Sequence, residues 1–70
     1  MTRDMLREAL QITNRFIRLR DGAFFMVARV YANDDYEFLV DYHKLSKTLT
    51  PGRKRTADLV TFCRKYIPWK

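Results

Sequence analysis

The sequence predicts an α+β fold, a single small domain in the order α-β-β-α: an N-terminal helix, a two-stranded antiparallel hairpin and a C-terminal helix. Three observations lead there. Apolar residues recur at helical spacing near both ends of the chain, and residues 23–42 are dense in aromatic and β-branched types with alternating polarity. Asp-Gly, Asn-Asp-Asp and Pro-Gly clusters separate these stretches. With 70 residues, 47% of them apolar and 14% aromatic, the chain has material for one domain over 1–70 and one marginal core. Packing against a partner or a second copy would help such a core.

The first helix is expected over residues 2–20. Met5, Ala9, Ile12, Phe16 and Leu19 recur at spacings of 4, 3, 4 and 3, and Leu6, Leu10 and Ile17 widen the stripe. Thr2 suits the N-cap, Asp4 suits the positive end of the helix dipole, and Arg18 and Arg20 suit its negative end. Asp21-Gly22 then stops the helix, with Gly22 as its left-handed terminator.

The hairpin is expected over 23–42, with strands at 23–31 and 36–42 and a turn at 32–35. AFFMVARVY has strand composition, and Tyr36, Phe38, Val40 and Tyr42 alternate with Glu37, Leu39 and Asp41. The alternative is an all-α, four-helix fold. Phe38, Tyr42, Leu45 and Leu49 also fall at spacings of 4, 3 and 4, which would make 35–49 an amphipathic helix. A helix-turn-helix would follow, with its turn near 50–52 and a recognition helix opening on Arg53, Lys54, Arg55 and Thr56. The hairpin is favoured because the run 24–31 needs a pairing partner. Residues 43–55 read as a basic loop. Residues 56–67 read as the second helix, with Leu59, Phe62, Cys63 and Tyr66 on its inner face and Pro68 ending it.

Charge carries the strongest functional signal. The net charge is +6, but by segment it is +3 over 1–20, −4 over 21–42 and +7 over 43–70. Such asymmetry points to an oriented encounter with a charged partner. Lys44, Lys47, Arg53, Lys54, Arg55, Arg64 and Lys65 form the expected nucleic-acid-binding patch, since phosphates are met by Lys, Arg and free backbone N–H groups. The plainer account is a solvated basic face. A second row, Arg7, Gln11, Asn14 and Arg18, would lie opposite the apolar stripe of the first helix and has residue types that read base edges, as any solvated helix face does. DNA and RNA are not distinguished.

Aromatic residues offer two further surfaces. Tyr36, Phe38 and Tyr42 on one hairpin face have the chemistry to stack unpaired bases, although packing under the helices is the favoured account and the nearby carboxylates would repel phosphate. Tyr66 and Trp69, beside Pro68, form the expected protein-interface anchor, because Trp and Tyr are enriched in interface hot spots. The hairpin edge could accept an added strand, and the wide stripe of the first helix could form a homodimer.

Catalytic chemistry has little to stand on, and no catalytic, metal-binding or cofactor-binding residue is assigned. Asp41, His43 and Ser46 lie too close in sequence to converge as a triad, and the two glycines form no phosphate loop. Asp34, Asp35 and Glu37 read as solvated turn carboxylates. Cys63 has no partner for a disulfide, reads as a buried helix residue and suits a reducing compartment. No run of 18 apolar residues exists to span a membrane, and MTRDMLREAL is too charged for a signal peptide, so a cytoplasmic location is expected. The expected function is a small non-enzymatic binding protein, a nucleic-acid-associated regulator. The alternative is an inhibitor or adaptor that docks on a larger protein, of the kind met among phage and mobile-element accessory factors.

Overall fold

A computed structural model describes residues 1–69 and begins as the sequence suggests. Thr2, in extended conformation, caps helix α1 (Arg3–Ala9), its Oγ1 accepting the Met5 amide at 3.1 Å. The helix then ends far short of residue 20. Thr13 Oγ1 accepts the Arg15 amide at 3.0 Å, taking a donor that a continuing helix would send to a backbone carbonyl, and it donates to the Trp69 carbonyl at 3.1 Å. Aromatic and β-branched residues follow, and they form strand β1 (Arg15–Arg18). The predicted stripe is thereby dismantled. Of its five members only Phe16 is fully buried, Ile12 is 72% exposed, and the buried residue of α1 is Leu6.

The remaining elements are β2 (Phe24–Ala32), β3 (Phe38–Leu45), β4 (Pro51–Asp58), α2 (Leu59–Lys65) and β5 (Tyr66–Pro68). All five strands join one antiparallel sheet in the order β4-β3-β2-β1-β5. The α-β-β-α expectation with a two-stranded hairpin is therefore corrected to a five-stranded sheet with two short helices, and the all-α helix-turn-helix alternative is overturned because 38–45 is a strand. The expected pairing of the middle segments survives inside the larger sheet as β2 with β3, with a bulge between Val27 and Arg29.

Turn chemistry explains why each connection reverses. Gly22 is left-handed, at φ 72°, as expected, but it closes the β1–β2 turn and ends no helix; the Asp21 carboxylate beside it accepts the Ala23 amide and grips Arg18 at 2.9 and 2.7 Å. In the β2–β3 turn the Asn33 side chain accepts the amides of Asp35 and Glu37, with Tyr36 left-handed at φ 62°. In the β3–β4 turn Ser46 Oγ accepts the Thr50 amide at 3.1 Å and Leu49 is left-handed.

The expected basic loop over 43–55 is corrected to the end of β3, a turn and most of β4. Strand β4 is exposed almost throughout because it is a sheet edge, where Pro51 at its first position and a row of cations are tolerated. Helix α2 starts at Leu59, not 56. Asp58 is its cap, accepting the Thr61 amide at 3.0 Å and the Thr61 hydroxyl at 2.6 Å. It ends at Lys65, before Pro68, because Tyr66–Pro68 pair with β1.

Cross-strand partners share a sheet face. Phe16, Phe25, Val27, Val40 and Tyr42 point to the face that α1 and α2 cover, where they pack with Leu6, Leu59, Phe62, Cys63 and Tyr66. Phe62 stacks on Tyr66 at 4.4 Å and meets Phe16 and Tyr42 edge-on at 5.5 and 5.3 Å. Among the described residues the other face carries no helix. It presents Arg15, Ile17, Phe24, Met26, Arg29, Tyr31, Asp41, His43, Lys54 and Thr56.

Charge follows the same topology. The β2–β3 turn, with Asp34, Asp35 and Glu37, lies at one end of the sheet. The β1–β2 and β3–β4 turns, with Arg20 and Lys47, lie at the other. Among the described residues no helix is long and apolar enough to cross a membrane.

Candidate polyanion-binding cleft

At the basic end, the helix layer stops before the sheet does. Arg18 on β1 stands beside Tyr66 on β5, Arg55 on β4 stands beside Tyr42 on β3, and α2 delivers Arg64 and Lys65 from above. With Arg20 these side chains rim a cleft of about 410 Å³ floored by the Tyr42 and Tyr66 rings. No Asp or Glu among the described residues lines it. The Leu19 amide donates to the Lys65 carbonyl at 2.8 Å, which ties the β1–β2 turn to the end of α2 across the cleft mouth.

Two guanidinium groups are held over one buried ring. Arg18 and Arg55 approach the Phe25 centroid at 5.0 and 5.6 Å. Arg18 is the fixed one, with a side chain 14% exposed; the Asp21 carboxylate pairs with it, raises its pKa and is itself pulled well below the usual carboxylate range. Burial, then the adjacent Tyr42 phenol, push Tyr66 up to about 12, so the Tyr66 phenol stays uncharged at neutral pH. The arrangement offers a row of cations on a rigid aromatic base, suited to a run of anionic groups.

The expected patch is divided by the sheet. Arg55, Arg64 and Lys65 line the cleft. Lys44, opposite Phe25, shares that sheet face, and Lys47 sits in the neighbouring turn. Lys54 stands opposite His43 and points to the other face, so the Arg53–Arg55 run straddles the sheet edge. Arg18 and Arg20 belong to the cleft although helical spacing assigned them to a helix end. The Arg-Leu-Arg-Asp-Gly run, cations immediately before a turn signal, was the clue available in sequence. The row Arg7, Gln11, Asn14 and Arg18 does not exist as a surface, because α1 ends at Ala9.

The expected interface anchor also separates. Tyr66 is 3% exposed in the core, whereas Trp69 lies on the far face with its ring 4.5 Å from Phe24 and the Arg15 guanidinium 5.5 Å away. Tyr36, Phe38 and Tyr42 are similarly dispersed: a turn tip, an exposed strand end and the core.

Each member of the nominal Asp41, His43 and Ser46 trio is engaged elsewhere. His43 Nδ1 bonds the Gly52 carbonyl oxygen at 2.9 Å, Ser46 Oγ bonds Thr48 Oγ1 at 3.0 Å, and Asp41 accepts from Arg29, Tyr31 and Thr56. Burial raises the Cys63 thiol pKa, which disfavours a thiolate. Among the described residues no three His, Cys, Asp or Glu side chains come together as a ligand set. No family model matches the chain, nor does any curated protein or solved structure.

Proposed function

We propose that the chain is a non-enzymatic nucleic-acid-binding protein that seats a phosphate backbone in the cleft. Arg18, Arg20, Arg55, Arg64 and Lys65 supply the principal contacts, with Lys44, Lys47 and Arg53 extending them. The observation that carries this reading is convergence: cations from three distant segments rim one cleft that no described carboxylate lines. The acidic turn at the opposite end would orient the molecule on a polyanion. The unpaired, buried Cys63 fits a reducing compartment such as the cytoplasm.

The test is binding of fluorescently labelled oligonucleotides across a salt series. With about four phosphates neutralised, log K should fall by about 3–4 per tenfold rise in salt. The double variant Arg64→Glu, Lys65→Glu should weaken binding by at least about tenfold and flatten that slope, since each lost phosphate contact removes about 0.7–0.9 from it. Equal affinity in the double variant would overturn the cleft assignment. Recovery of a stoichiometric protein partner after nuclease treatment, with no oligonucleotide bound at low salt, would favour a docking protein.

A further inference from the structure

We infer that the helix-free face of the sheet is a stacking platform for unpaired nucleotides, so that a single strand is bound in preference to a duplex; this rests on the nucleic-acid reading of the cleft. The face carries two aromatic positions, each paired with a guanidinium. Trp69 and Phe24 pack against each other with centroids 4.5 Å apart at a tilt of 36°, and Arg15 lies 5.5 Å from the indole. Phe24 is 37% exposed although Ile17 stands opposite it and Met26 follows on the same face of β2. Farther along β2, the Arg29 guanidinium lies 4.1 Å from the Tyr31 centroid. Rings of this kind take the π-face of any base, and adjacent guanidinium groups meet the sugar-phosphate chain.

Charge selects the occupant. Among the described residues, Arg15, Arg29 and Lys54 are the strand cations on this face, and its strand carboxylates are Asp41 and Asp58. Asp41 is 2% exposed and accepts from Arg29 Nε, Tyr31 Oη and Thr56 Oγ1 at 2.9, 3.2 and 2.7 Å. Asp58 is committed to Thr61 at the start of α2. Neither leaves a free anion on the platform. Arg29 is neutralised by Asp41, so a second copy laid face to face would set Arg15 and Lys54 against their own copies with no free strand carboxylate to pair them. A single strand meets both the rings and the cations. A duplex hides its base faces and gains only the charge.

Trp69 is the only tryptophan of the chain, so the platform reports on itself. The full chain would be titrated with oligo-dT and oligo-U of about a dozen nucleotides, within the site sizes usual for such surfaces, and with a duplex of equal length. Both single strands should quench the indole emission to saturation and the duplex should not. By anisotropy of labelled oligonucleotides, Phe24→Leu and Trp69→Leu, which keep apolar bulk, should each weaken single-strand binding about tenfold and leave duplex binding unchanged. Arg64→Glu with Lys65→Glu should weaken both. Saturable binding without quenching, or with undiminished affinity in both Leu variants, would overturn the platform and leave the cleft reading standing. A solution mass of two chains, with the indole emission of the free protein already that of a buried ring, would overturn it in favour of a second copy. Failure of every oligonucleotide to bind would remove the cleft reading and the platform together.

Discussion

The two faces of the sheet obtain order by different means. Under the helices, Phe16, Phe25 and Phe62 lose all contact with water and pack ring on ring, so order there comes from apolar burial and close fit. On the open face a charged group is fully buried: Asp41 is held by a guanidinium, a phenol and a hydroxyl from the strands on either side of it. The first face needs shape and the second needs partners. That division explains why a chain with so many aromatic residues leaves Trp69 and Phe24 partly in solvent. The helix layer is only two short helices wide. Helix α2 packs closest to β3, β4 and β5, and at the basic end Arg18 and Arg55 add to the cover over Phe25.

The sharpest way to break the comparison is truncation on each face. Phe62→Ala should cost about 3–5 kcal/mol, a large fraction of the total stability of so small a domain. Met26→Ala on the open face should cost less than about 1 kcal/mol. Urea midpoints followed by circular dichroism measure both. Comparable losses would mean that the open face is a second core, and the distinction would fail.

Acid should act on the open face through Asp41. The hydrogen bonds from Arg29 and then Thr56 lower its pKa below the ordinary 3.8. The ionised form is therefore favoured by folding. Its contribution is complete above the unfolded value and is lost as pH falls through the lower folded value. Stability should decline below about pH 4, the ordinary carboxylate range. Asp41→Asn should lower stability at neutral pH and flatten part of the acid decline. The part that remains belongs to Asp21 and Asp58, which are also depressed. An unchanged acid slope in Asp41→Asn would show that its hydrogen bonds do not form in solution.

Legibility in the sequence followed the same division. The β2–β3 pairing was readable because both strands carry β-type residues and Asn33 marks their turn. Strand β4 was not, because an exposed edge needs no apolar alternation and PGRKRTAD offers none. Strands β1 and β5 were hidden inside apparent helical spacing, being four and three residues long. A run that short fits a period of 3.6 as easily as one of 2. Three of the seven patch residues, Arg55, Arg64 and Lys65, do meet in the cleft, but convergence is a property of sheet order, and no spacing in the chain encodes that Arg18 would join them. The aromatic anchor was half legible: Trp69 reaches the surface, and Tyr66 pairs into the sheet beside Arg18 and is buried there.

The smallest predicted effect tests that misreading most directly. Were residues 2–20 one amphipathic helix, Ile12 and Leu19 would belong to its buried stripe, and truncating either to Ala would cost about 2–5 kcal/mol. In the sheet fold they are 72% and 57% exposed, so Ile12→Ala and Leu19→Ala should each shift stability by no more than about 0.5 kcal/mol. Leu6→Ala, one residue from the stripe member Met5, should cost about 2–5 kcal/mol, because Leu6 is the residue by which α1 enters the core. The ordering of these variants is decisive whatever their absolute values. A helix through residue 20 requires Ile12 and Leu19 to matter as much as Phe16. A strand at β1 requires Phe16 to matter, Ile17 to matter less, and Ile12 and Leu19 hardly at all, since alternation along a strand turns successive side chains to opposite faces and both truncated residues lie outside it.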